Sequence, residues 1–98
     1  MSGASYSPEF LAYWAARGSL ERQMRDASER LARIPGTGSG RFGLTPDAVK
    51  ARPDWRAAHF EYWRAHKALA ELNRLNLRRF RLELAQERAE RRAALSLR

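Results

Sequence analysis

Phe10, Tyr13, Arg17, Leu20, Met24, Ala27, Leu31 and Ile34 recur at alternating spacings of three and four residues. That rhythm puts them on one side of an α-helix as a heptad-like seam, with Arg17 its one charged member. Just ahead of it, Ser7-Pro8-Glu9 offers a hydroxyl cap, a proline suited to the first helical position and an acid for the positive end of the dipole. The pattern predicts a helix over about 8–33. Gly18-Ser19 weakens the propensity at mid-length, so a kink there or a fresh start at Ser19 is the alternative. The seam holds its phase across the pair, which favours one helix.

Residues Pro35 to Gly43 hold four glycines and a proline in nine positions, a composition that suits only a loop. Thr45-Pro46-Asp47 repeats the cap–proline–acid signature and predicts a short helical turn over 46–50, within a linker spanning 35–52. Pro53-Asp54 opens a third element, and no glycine or proline follows it. Residues 54–95 read as one helix of ~60 Å at 1.5 Å per residue. No stretch alternates with period two over strand length, so the predicted class is all-α. The simplest architecture is a single domain over 1–98: an antiparallel helical hairpin closed by the Gly-rich linker, its long C-terminal helix overhanging from roughly Phe80.

Around that long helix, Trp55, Ala58, Tyr62, Ala65, Leu69, Leu72 and Phe80 fall on one face, with His66, Asn73 and Asn76 among them. This face is expected to meet the first helix. Asparagines within a seam either fix register and partner number or mark a seam that is partly wet. About 120° round lies a second row of Arg56, Lys67, Arg74, Arg78, Arg81, Arg88 and Arg92, with Phe60 and Trp63 near its start. Glu61, Glu83, Glu87 and Glu90 lie mostly on the other side. A merely solvated helix more often intersperses the signs to gain i,i+4 pairs.

Charge sharpens this picture. The chain has 98 residues, enough for one domain, and a net charge of +8 from nineteen Lys+Arg against eleven Asp+Glu. Seventeen of the nineteen cations are arginine, a preference that fits either a GC-rich coding bias or phosphate and carboxylate recognition by the guanidinium fork. Residues 53–98 alone carry eleven bases and six acids. Cysteine is absent, which excludes disulfides, thiolate chemistry and Cys-ligated metal centres. No apolar run approaches the ~18–20 residues of a transmembrane helix, and Met1 to Ser7 lacks the basic start of a signal peptide. A cytoplasmic protein is the expectation.

Motifs resembling reaction chemistry fail on context. Gly38-Ser39-Gly40-Arg41-Phe42-Gly43 spells G-x-G-x-x-G, but a helix precedes it where the dinucleotide fold needs a strand. His59 and His66 stand two turns apart on one helix, whereas helical zinc ligands want three or four residues between them. Glu83, Glu87 and Glu90 sit on the expected open, Arg-rich overhang, where nothing desolvates them for acid–base work. No catalytic residue, metal site, cofactor or small-molecule substrate is expected. Outside the seam, Trp63, Leu77 and Leu84 do not make the wide apolar face that membrane binding requires.

Two functions of different class follow. The first is a non-enzymatic nucleic-acid or ribonucleoprotein binder. In it, Arg56, Lys67, Arg74, Arg78, Arg81, Arg88 and Arg92 neutralise phosphates while Phe60 and Trp63 stack. The alternative is a protein-interaction module: an adaptor, or a phage- or mobile-element-encoded inhibitor of a nucleic-acid-handling machine. It would act through the overhanging helix and the Arg41-Phe42 loop tip, with Leu77, Leu82 and Leu84 as helical anchors. A homodimer through the long helix is its simpler variant. The segment Leu44 to Lys50 followed by Pro53-Asp54-Trp55-Arg56 resembles small helical proteins carried by bacterial mobile elements, a likeness that assigns no residue a role.

Overall fold

The computed structural model describes residues 6–97. Among them are four α-helices and one 3-10 turn, with no strand: α1 Pro8–Arg33, the turn Arg41–Gly43, α2 Asp47–Lys50, α3 Pro53–Asn76 and α4 Arg81–Ser96. No helix among the described residues is long and apolar enough to cross a membrane.

The first helix runs unbroken through Gly18. Ser7 Oγ accepts the amide of Phe10 at 3.1 Å, the bond a serine cap makes with the third helical residue. Every member of the α1 seam is buried or half-buried, with Phe10, Tyr13 and Ala27 the deepest. On α3 the buried positions are Trp55, Ala58 and Ala65. Small alanines at these contacts let the two helix axes approach.

Partners descend along α1 as they climb along α3 and α4. Arg30 pairs with Glu61, and the Tyr13 hydroxyl donates to Asn73 Oδ1 at 2.8 Å. The Phe10 and Phe80 rings meet edge-on at 5.6 Å, and the Ser7 amide donates to Glu83 Oε2 at 2.9 Å. The centre of this end is a cluster of Phe10, Tyr13, Phe80 and Leu84, with Tyr6, Trp14 and Leu72 packed against it. Asn73 thus serves as a tyrosine acceptor, and Asn76 Nδ2 donates to the Leu72 carbonyl at 2.7 Å. Both asparagines are bonded within the chain.

Four sequence expectations need correction. The predicted helix over 54–95 is two helices, interrupted at 77–80 where Phe80 takes φ −106° and ψ 25°. Residues from Phe80 onward do not simply overhang, because Phe80 and Leu84 are buried and Glu83 and Glu90 bond to the start of α1. His66 is exposed, so it lies outside the seam. Thr45 does not cap α2. Its hydroxyl accepts the Gly38 amide at 3.0 Å instead, tying the two sides of the linker together.

The molecule is elongated, 54 × 33 × 19 Å with a radius of gyration of 18.1 Å. A compact chain of this length has a radius of about 13 Å. Paired helices with a thin core leave long outward faces, and those faces carry most of the charge.

Candidate nucleic-acid interface

On α3, burial at Trp55, Ala58 and Ala65 fixes the inward direction, so residues half a turn away must face outward. Arg56, Phe60, Trp63, Lys67 and Arg74 occupy that outward side, and all are exposed. The two aromatics are conspicuous, with Phe60 68% and Trp63 49% exposed. Between Arg56 and Arg74 the helix rises ~27 Å, enough to follow about eight phosphates of one strand at 3.4 Å each.

Trp63 is held in place. Its indole Nε1–H donates to His59 Nε2 at 2.8 Å, and His59 in turn stacks on buried Trp55 at 4.5 Å between ring centroids. His66 meets the other side of Trp63 edge-on at 4.9 Å. Two histidines that resemble distant metal ligands in the sequence therefore serve as aromatic supports. No group of three or more metal-type side chains occurs among the described residues. A tryptophan fixed by neighbours loses little rotamer entropy on stacking, which suits a platform for planar ligands.

Arg74 is differently situated. Glu71 accepts from its guanidinium at 2.7 and 3.1 Å, and these bonds hold the Glu71 carboxyl below the usual carboxylate range. An exposed pair of this kind contributes little to folding and can exchange its acid for a phosphate. The break at 77–80 then interrupts the row. Arg78, Arg81, Arg88 and Arg92 are all exposed but do not continue the α3 stripe as one straight line.

The opposite side of α4 shows what the sequence reading missed. Glu83, Glu87 and Glu90 are half-buried, Glu83 and Glu90 bonding to the residues that open α1 and Glu87 to Arg91 on its own helix. Glu83 accepts from both the amide and the hydroxyl of Ser7, at 2.9 and 3.2 Å. Together with the Ser7 to Phe10 bond this reproduces a capping box whose acid arrives from a distant helix. Glu90 accepts the Tyr6 hydroxyl, and that hydrogen bond, with lesser help from desolvation and the nearby acids, pushes the Tyr6 pKa from 10.0 to about 12. The signal available in the sequence was the acid spacing itself, three glutamates on one face opposite Arg81, Arg88 and Arg92.

The glycine loop is closed on itself. The amides of Ser39, Gly40, Gly43 and Leu44 donate to Gly36, Leu44, Gly40 and Arg41 carbonyls. With Gly38 bonded to Thr45, these amides are committed inside the loop and do not form a phosphate cradle. What the loop presents is Phe42, 93% exposed and at φ 57°, with the Arg41 guanidinium 5.7 Å from its ring.

No protein-family model matches this chain, and neither a characterised protein sequence nor a solved structure shows significant similarity to it.

Proposed function

We propose that this helical hairpin, bridged by its Gly-rich linker, is a non-enzymatic binding protein for nucleic acid or a ribonucleoprotein. It engages its target through the outward face of α3. The observation that carries the reading is the exposed pair Phe60 and Trp63 set between Arg56 and Lys67, with Trp63 anchored by His59. Stacking on the aromatics and neutralisation by the flanking cations act on one strand at once. The carboxylates of Glu83 and Glu90 are taken up by Ser7 and Tyr6, which supports a structural role for them over an acid–base one.

Replacing Arg56, Lys67 and Arg74 together by glutamine tests this. The fold is retained, since all three side chains are exposed, while affinity falls and the slope of log K against log salt flattens by about two to three. An unchanged slope removes the α3 face from the interface. A second reading is favoured by Phe42, whose ring stands 93% exposed on a left-handed backbone. A protein partner with an apolar pocket and an acid for Arg41 would use that tip as its anchor. Substituting Phe42 by serine would then abolish partner capture and leave nucleic-acid affinity unchanged.

A further inference from the structure

Arg78, Arg79 and Arg81 fall within four residues, and on a straight helix they would fan out over about 160° of its circumference. The break before α4 changes that. All three line one concavity of ≈ 290 Å³, completed by Leu82 and Glu83. The break is pinned from inside, because the Phe80 ring stacks on Tyr13 at 5.3 Å and is only 4% exposed. Arg79 is pinned with it, its guanidinium carbon 4.7 Å above the same ring.

Among the described residues, the arginines of this notch have no paired acid, a condition shared with Lys67 and Arg88 but not with every nearby arginine. On either side, Arg74 pairs with Glu71 and Arg91 with Glu87. The one carboxylate at the notch, Glu83, is bound to the Ser7 amide and hydroxyl. Three arginines, each ending in a rigid fork of donors, therefore line one small concavity against a single carboxylate, a local excess of two positive charges. A phosphodiester carries a single charge and is matched by one or two such groups. A net excess of two positive charges in one notch matches a dianion.

We propose that the notch formed by Arg78, Arg79 and Arg81 binds a dianionic phosphate group, of the kind found at the phosphorylated end of a nucleic-acid strand or in a free phosphate compound. It rests on the nucleic-acid reading only for the source of that phosphate. The α3 face holds the strand by regularly spaced phosphodiesters and stacking, and the notch recognises its terminal phosphate.

The test measures the full chain against two short single-stranded oligonucleotides, identical but for a 5′-phosphate or a 5′-hydroxyl, at about 150 mM salt. In parallel, inorganic pyrophosphate is titrated alone by calorimetry. The proposal expects the phosphorylated strand to bind about tenfold tighter, the worth of one added set of charge-assisted bonds. That preference vanishes in R78Q/R81Q, which keeps Arg79 on Phe80 so that the core is undisturbed, and circular dichroism verifies the fold. Pyrophosphate binding lost in the same variant, without any preference for the phosphorylated strand, supports the notch and assigns it to a free phosphate compound. If neither the end preference nor pyrophosphate binding depends on Arg78 and Arg81, the proposal is overturned. Failure of both oligonucleotides to bind would remove the nucleic-acid reading by itself, and the pyrophosphate arm then decides the notch alone.

Discussion

Phe80 holds α4 in place, and replacing it by alanine tests that directly. Its ring is 4% exposed, packed edge-on against Phe10 and stacked on Tyr13. Removing a buried phenyl costs about 3–5 kcal/mol, of which aromatic pairing with each neighbour is about 0.5–1.5 kcal/mol. The whole stability of a domain this size is about 5–15 kcal/mol, so the loss is a large share. At 4–8 °C per kcal/mol, the melting midpoint falls by about 12 °C at the least. Thermal unfolding followed by circular dichroism reads that shift. Limited trypsin digestion reads the local consequence: cleavage at Arg78 and Arg79, beside the break, should accelerate ahead of the rest of the chain. A double-mutant cycle with Phe10→Ala separates the shared contact from the two separate losses. A loss below ~1 kcal/mol with unaltered digestion would refute the claim that the aromatic cluster anchors α4.

Other perturbations test the remaining contacts. Glu83→Gln keeps an acceptor for the Ser7 amide but removes the charge at the start of α1, and should lower stability by about 1 kcal/mol. In a Ser7→Ala background the same substitution should cost less, and full additivity would show that the two do not share a cap. In an alkaline absorbance titration, the Tyr6 phenol should ionise near pH 12, and Glu90→Gln should return it toward 10. Because the folded pKa lies above the unfolded one, this bond's contribution to stability is whole below pH 10 and is lost as pH rises through about 12. Tyr6 ionising with the ordinary value in the unaltered protein would contradict the contact. Gly40→Ala places a Cβ 2.6 Å from the Leu44 carbonyl oxygen and should destabilise by about 1–3 kcal/mol, measured by urea unfolding. Phe42→Gly removes a left-handed phenylalanine and should leave stability unchanged or slightly raised, since nothing buries the ring.

The sequence carried the first helix well because its information there is local. Cap, proline, acid and an unbroken three–four rhythm all agree, and each seam member is buried or half-buried in the structure. It carried the outward direction of Arg56, Phe60, Trp63 and Lys67 for the same reason. The break at 77–80 was not legible, since residues 73–84 hold no glycine or proline and favour continued helix. What opposes that preference is tertiary: Phe80 and Leu84 enter the aromatic cluster, and Glu83 completes a cap seventy-six residues away in sequence. Local propensity differences of a few tenths of a kcal/mol yield to contacts of that size. The partnership of His59 with Trp63 is a borderline case, since a spacing of four is visible in the sequence but does not distinguish a bonded support from a solvated histidine.

The most direct test of the account is a fluorescence titration of the unaltered chain against short single- and double-stranded DNA and RNA across about 50–200 mM salt. The α3 face and the arginine notch together offer about four to six phosphate contacts, which gives a log–log slope near −3 to −4 for single strands at about −0.7 per contact. Binding that persists at about 150 mM with such a slope, and that changes the emission of Trp63, is the predicted result. Binding that disappears by that salt concentration, with no change in tryptophan emission, would contradict the assignment of the α3 face to nucleic acid.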